Sequence, residues 1–195
     1  MSRLPMVPKA PQDAATKTLF DEVYAARGPG FEMPNLYRVL GLSPSMFRAW
    51  LDFAWPLRLH ARTPRQIREL LILRGAQISA TSYEWAHHVP MALEAGVTQK
   101  QIEALPTWPG SDQFNTREKA VLQLAEEITR GPSASEACIE QLKQQSFDHA
   151  EIVELVLTAS FYVCVGRFLQ SMDIDLEPGY EKHLVAFPLS ATFRT

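Results

Sequence analysis

Pro64-Arg-Gln-Ile-Arg-Glu-Leu-Leu-Ile-Leu-Arg-Gly-Ala-Gln77, followed after a short break by Ser82-Tyr-Glu-Trp-Ala-His-His88, reads as two consecutive helices. The first places a carboxylate, Glu69, among apolar residues. In the second, Glu84 and His88 are i,i+4 neighbours on one helical face, with Cβ atoms about 5–6 Å apart, a spacing suited to proton transfer. The two segments together read as an active site. Thr63 as N-cap, Pro64 at the first helical position and Gln66 three residues after the cap predict a capping box that opens a helix running to about Ser79. The motif helix then ends at Gly96, a left-handed C′ residue.

Apolar spacing is helical nearly everywhere outward from this stretch, and no alternating strand pattern with hairpin turns interrupts it. The fold class is all-α. Helices are expected at about 13–26, 36–42, 45–60, 116–130, 134–145 and 149–172, with Pro56 kinking or breaking the third of these. That third helix carries Phe47, Trp50, Phe53 and Trp55, a stripe that suits core or subunit interface. Thr98 with Gln101 and Asp148 with Glu151 form two further capping boxes. Residues 106–114, with Pro109-Gly110, read as a loop. A single domain over 1–195 is expected, its core at about 45–175, preceded by the 13–26 helix and followed by a tail at 176–195. That tail lacks periodicity but holds Tyr180, Leu184, Phe187 and Phe193, so it should wrap around its own or a neighbouring subunit.

An internal echo aligns Gln66-Ile-Arg-Glu-Leu70 with Glu151-Ile-Val-Glu-Leu155, each opening a long apolar helix. The second copy has Leu169 and Asp173 where the first has Glu84 and His88, which suggests a duplicated helical hairpin with the chemistry in one copy.

Composition bounds the function. The 195 residues suffice for one domain with a substantial core. Hydrophobic content of 46% and a net charge of −3 describe an ordinary soluble chain with no basic stripe for phosphates, so nucleic acid is not an expected partner. The three prolines in Met1–Pro11 leave no apolar run of the kind a secretory signal needs. The apolar run Leu155–Gly166 is too short to span a bilayer and reads as a core helix, so no membrane partner is expected. Cys138 and Cys164 fit neither a CxxC pair nor a metal knuckle, and reduced thiols in a cytoplasmic setting are expected.

Glu69, Thr81, Glu84 and His88, with Tyr-Glu-Trp-Ala-His-His and Ala-Leu-Glu-Ala-Gly96 after them, resemble the carboxymuconolactone decarboxylase and alkyl-hydroperoxidase D superfamily. The resemblance runs from about Leu51 to Gly96 and more loosely through Arg167-Phe-Leu and Leu176-Glu-Pro. It implies an alkyl-hydroperoxidase D-like orthogonal helical bundle with a repeated hairpin, assembled as a homo-oligomer, trimer or hexamer, with sites near subunit interfaces. Glu69 and His88 match the family's carboxylate and histidine, whereas Thr81 and Glu84 stand where the peroxidase branch has two cysteines. Without a thiolate, neither peroxide attack nor a resolving disulfide is available at those positions. Cys164 lies in the second apolar helix and reads as buried.

What remains is a Glu–Glu–His set suited to acid–base work. The decarboxylase branch needs no cofactor, and by resemblance His88 is the proton donor or acceptor, Glu84 orients or activates it, and Glu69 is a second carboxylate that polarises the site or shuttles a proton. Tyr83, His87 and Thr81 are weaker, substrate-binding candidates. The dedicated decarboxylases are shorter and lack the Tyr-Glu-Trp-Ala-His-His wording, so their substrate is not carried over.

Blander readings compete. Glu84 with His87 or His88 also fits an exposed helix ion pair worth about 0.2–0.5 kcal/mol. Glu84, His87 and His88 are competent metal ligands, but adjacent histidines diverge by about 100° on a helix, so no metal is expected. Pro90 either presents His88 to a pocket or bends the helix around the core. His60, His149 and His183 read as surface or capping residues. Three functions follow: a cofactor-independent lyase or isomerase on a small carboxylated, carbonyl-containing or lactone substrate of aromatic catabolism; a peroxidase-related oxidoreductase without the cysteine pair; and a non-catalytic oligomeric binding protein.

Overall fold

The computed structural model describes residues 2–189, all of whose regular structure is helical. The helices are α1 (Ala14–Arg27), α2 (Asn35–Leu40), α3 (Pro44–Leu59), α4 (Arg65–Ile78), α5 (Ser82–Glu94), α6 (Gln99–Ala104), α7 (Thr116–Arg130), α8 (Glu136–Gln144), α9 (His149–Met172) and α10 (Glu181–Ala186). A 3₁₀ turn, Leu105–Gly110, occupies part of the stretch expected to be loop.

α4 is the central helix, buried around most of its circumference, with Arg68, Glu69, Arg74 and Gln77 buried beside its apolar residues. Ile67, Leu71 and Ile72 join a cluster with Val121 and Leu124 of α7 and Leu155 and Ala159 of α9. Leu70, Leu73 and Ala76 join Trp85 and Val89 of α5 and Ile102 of α6. A third cluster, from Leu19, Phe20 and Val23 of α1 with Phe47 and Leu51 of α3, closes the far end. α9 is long and apolar enough to cross a membrane by length and composition, yet it packs against α4, α7 and α8 as a core helix.

The turn between α4 and α5 positions the chemistry. Ala80 takes a left-handed conformation at φ 51°, which is about 1–2 kcal/mol unfavourable for a residue with a Cβ. Thr81 N donates to Ala76 O at 3.0 Å across this turn, and α5 returns alongside α4. α9 continues unbroken through the positions that correspond to this turn in the internal echo. It approaches the turn at Gly166, where a Cβ would stand 3.0 Å from Thr81 Oγ1 and 3.4 Å from Glu84 Oε2.

Several local expectations meet a tertiary competitor. Thr63 does not cap α4. Its backbone N–H and hydroxyl both donate to Glu154 Oε2 of α9, at 2.9 and 3.0 Å, and Gln66 turns away to the Gly96 carbonyl. Pro56 does not break α3, which runs through it to Leu59. The capping boxes at Thr98 and Asp148 are formed, as is a third at Asn115 with Glu118. Gly96 takes the left-handed conformation at φ 95° that a C′ position needs. Cys164 is exposed rather than buried, because it lies on the outward side of α9. The tail folds back on its own chain: Leu184, Phe187 and Leu189 pack on the α5 side of the core, and Trp85 Nε1 donates to Phe187 O at 2.8 Å. Phe193 lies outside the described residues.

Candidate active site

A cavity of about 800 Å³ opens between α1, α3, α5, α9 and the segment after α9. Its wall includes the aromatic residues Tyr37, Trp50, Trp55, Phe161, Tyr162 and Tyr180, and Glu84, His87 and His88 line it from α5. A site of this size and lining fits a small organic molecule.

Glu69 and His88 meet beside it. His88 Nδ1 lies 2.7 Å from Glu69 Oε2, and Arg65 Nε donates to Glu69 Oε1 at 2.5 Å. Glu69 is fully buried and His88 nearly so. Burial would raise the Glu69 carboxyl, but its contacts with His88 and Arg65 outweigh that and hold it below the usual range, so it is ionised. Burial, helped by the nearby Arg58 charge, outweighs the pull of Glu69 and lowers the His88 pKa, so the imidazole is neutral at pH 7. A neutral ring beside a carboxylate places its proton on Nδ1 and leaves Nε2 with a free lone pair. Tyr162 packs edge-on against this ring, with centroids 4.9 Å apart, and its own hydroxyl is pushed well up by burial.

Glu84 lies near this pair without bonding to His88. Its Oε2 is buried with no hydrogen-bond partner. An unpartnered carboxylate would cost several kcal/mol there, against roughly 1–3 kcal/mol for a neutral group. The neutral acid wins. Burial first, then the Glu69 charge, raise its pKa well above 4.5. The i,i+4 spacing of Glu84 and His88 therefore does not make a hydrogen-bonded pair. The carboxylate that pairs with His88 is Glu69, from the preceding helix.

His87 diverges from His88, as adjacent helical residues must. Its Nε2 lies 2.6 Å from Glu177 Oε2, and its ring is stacked between Tyr83 and Tyr180 at 4.4 and 4.0 Å. Glu177 also accepts from Tyr83 Oη at 2.6 Å and from the Asn35 backbone N–H at 2.5 Å. Sequence reading missed Arg58 and Tyr162, which reach the site from distant segments without a local pattern to mark them, and gave Glu177 no role although it lies in the Leu176-Glu-Pro stretch of the resemblance. Thr81 is buried in the α4–α5 turn, where its hydroxyl donates to Ser79 Oγ at 3.1 Å, and it does not line the cavity. Neither Cys138 nor Cys164 lines it, and the buried Cys138 thiol is pushed up to about 11. No group of three His, Cys, Asp or Glu side chains among the described residues could hold a metal ion.

The class this defines is an all-helical bundle with a buried carboxylate–imidazole pair at an aromatic cavity, of the alkyl-hydroperoxidase D type. Residues 44–127 match the carboxymuconolactone decarboxylase family. It is 30% identical over 95 residues to the uncharacterized protein YdfG of Bacillus subtilis (strain 168), a segment covering 48% of this chain and 64% of that protein. Among solved structures it is similar to the alkylhydroperoxidase AhpD core of an uncharacterized peroxidase-related protein from Ralstonia eutropha JMP134. That likeness has a TM-score of 0.79 and 18% identity, covering 95% of this chain and 96% of the other. A cysteine-to-alanine variant of the debrominase Bmp8, in complex with 2,3,4-tribromopyrrole, gives a TM-score of 0.78 and 17% identity, with coverage of 96% and 100%. At these identities the likeness is one of fold.

Proposed function

We propose that the protein is a cofactor-independent acid–base lyase or isomerase acting on a small carboxylated, carbonyl-containing or lactone substrate. The observation that carries this reading is the buried Glu69–His88 pair beside the cavity wall that also holds Glu84. Ionised Glu69 fixes the His88 tautomer, leaving Nε2 to take a proton from a bound substrate. Neutral Glu84 is the complementary acid, able to deliver a proton to the carbon or oxygen that gains charge. Two titratable groups driven apart in pKa by their surroundings form a usable acid–base set. In a decarboxylation, His88 Nε2 takes the proton of the substrate carboxyl group, the carboxylate carbon leaves as CO2, its bonding electrons pass into the conjugated carbonyl, and Glu84 protonates the resulting carbanion. Aromatic catabolism is the setting this chemistry suits. The two free cysteines fit a cytoplasmic one.

The test is turnover of a panel of lactone acids and β-keto acids by purified, metal-stripped protein and by His88→Gln, following CO2 and product by mass spectrometry. Removing a general acid–base group is expected to lower the rate by roughly 10²–10⁴-fold, with folding and oligomer size unchanged. Equal rates in the two proteins would defeat the assignment. An oxidoreductase reading draws on similar structures described as peroxidase-related or a debrominase. Under it, peroxide consumption would survive replacement of both Cys138 and Cys164.

A further inference from the structure

Arg58 stands in the last turn of α3 and lines the cavity. Its guanidinium donates to Met91 Sδ at 3.5 Å, and the Tyr37 phenol stands beside it. A thioether is a weak acceptor and a phenol is neutral, so no carboxylate among the described residues hydrogen-bonds the guanidinium, although against the pull of burial the nearby Tyr162 and Tyr37 phenols and the Glu69 charge keep it cationic. The side chain is only part-buried and lines the cavity, so an anion that enters meets a charged fork that no carboxylate already occupies. Arg27, which also lines the cavity, packs over the Phe31 ring at 5.0 Å and likewise has no carboxylate partner among the described residues. The carboxylates along the wall are engaged or uncharged: Glu177 with His87 and Tyr83, Glu32 with Lys9, and Glu84 as the neutral acid. The cavity therefore carries an excess of positive charge over an aromatic lining.

We propose that Arg58, backed by Arg27, is the anion-binding residue of this cavity and holds the carboxylate of a small ligand whose flat, conjugated body lies among Trp50, Phe161 and Tyr162. The planar fork of an arginine matches a carboxylate through two parallel hydrogen bonds, which fixes the ligand's direction as well as its charge. Met91 ties the anchor to the catalytic pair. Its sulfur accepts from both Arg58 and Arg65, the latter at 3.6 Å, and Arg65 is bonded to Glu69, the partner of His88. The aromatic wall runs from Trp50 through Phe161 to Tyr162, which packs edge-on against the His88 ring, so a flat ligand body lying along it from Arg58 ends beside His88. Arg58 also helps to lower the His88 pKa, so pairing it with an anion makes His88 a stronger base once ligand is bound.

This proposal deepens the acid–base reading and rests on it for the orientation toward His88, so its test does not depend on turnover. Benzoate and its neutral isostere benzamide are titrated calorimetrically into wild type, Arg58→Gln, Arg58→Lys and His88→Gln. Wild type is expected to bind benzoate at least tenfold more tightly than benzamide. Arg58→Gln should bring benzoate to the benzamide level, Arg58→Lys should keep part of the preference, and His88→Gln should keep most of it. No preference in wild type, or a preference that survives in Arg58→Gln, overturns the proposal. If Arg58→Gln does not fold, the acid-against-amide ratio in wild type and the partial loss in Arg58→Lys still decide it. Arg58-dependent benzoate binding by a protein that turns over no carboxylate would leave the anchor standing and remove the lyase reading. Turnover with KM unchanged in Arg58→Gln would do the reverse.

Discussion

At the residue scale, the surroundings of each group set its role more than its spacing does. Glu84 and His88 are helical neighbours, yet His88 pairs with Glu69 from the other helix while Glu84 is left neutral with an unpartnered oxygen. Glu84 has a consequence for stability. A carboxyl whose folded pKa is raised binds its proton in the native state when the unfolded chain has already lost it, so stability falls as pH rises from about 4.5 toward the native value. Glu84→Gln removes that dependence. Thermal melts of the two proteins from pH 5 to 8 are expected to shift steadily in favour of the variant; parallel melting curves would show that Glu84 is ionised in the fold. The raised pKa was not legible from sequence, because burial and the Glu69 charge both come from packing. Only the residue types, their spacing and the resemblance could be read there.

At the element scale, local signals succeed where both partners lie within a turn and fail where a distant helix competes. Thr98 with Gln101 and Asp148 with Glu151 close their capping boxes three residues away. Thr63 carries the same pattern, but Glu154 on α9 takes its hydroxyl and its backbone N–H. The segment after α9 shows the same limit. It lacks helical periodicity, yet Glu177 ties it to α2 and α5 by accepting from Asn35, Tyr83 and His87. Glu177→Ala would strand a buried phenol and a backbone N–H, each worth about 1–3 kcal/mol when left unpaired. A loss of about 2 kcal/mol or more in urea unfolding is expected, with a smaller one for Glu177→Gln. A loss under about 0.5 kcal/mol would mean that the segment is not held by this residue.

At the scale of the whole molecule, the all-helical architecture was legible because the 3.6-residue period persists along nearly the whole chain. Subunit contacts were not, and assembly stays a proposal. Met46 and Phe53, an i,i+7 pair on α3, are 62% and 41% exposed, and Leu59 near the end of that helix is 60% exposed. A strip of this kind suits burial against another copy. Light scattering on the eluting protein is expected to give a trimer or hexamer, reduced to smaller species by Met46→Glu with Phe53→Glu; a wild-type monomer would contradict this. The proposed chemistry itself rests on the state of one ring. A ¹⁵N correlation spectrum of His88 at pH 7, assigned through its loss in His88→Gln, reads that state directly. The predicted result is a neutral ring with Nδ1 protonated toward Glu69 and Nε2 bare. An imidazolium, or a proton on Nε2, would contradict the assignment of His88 as the base.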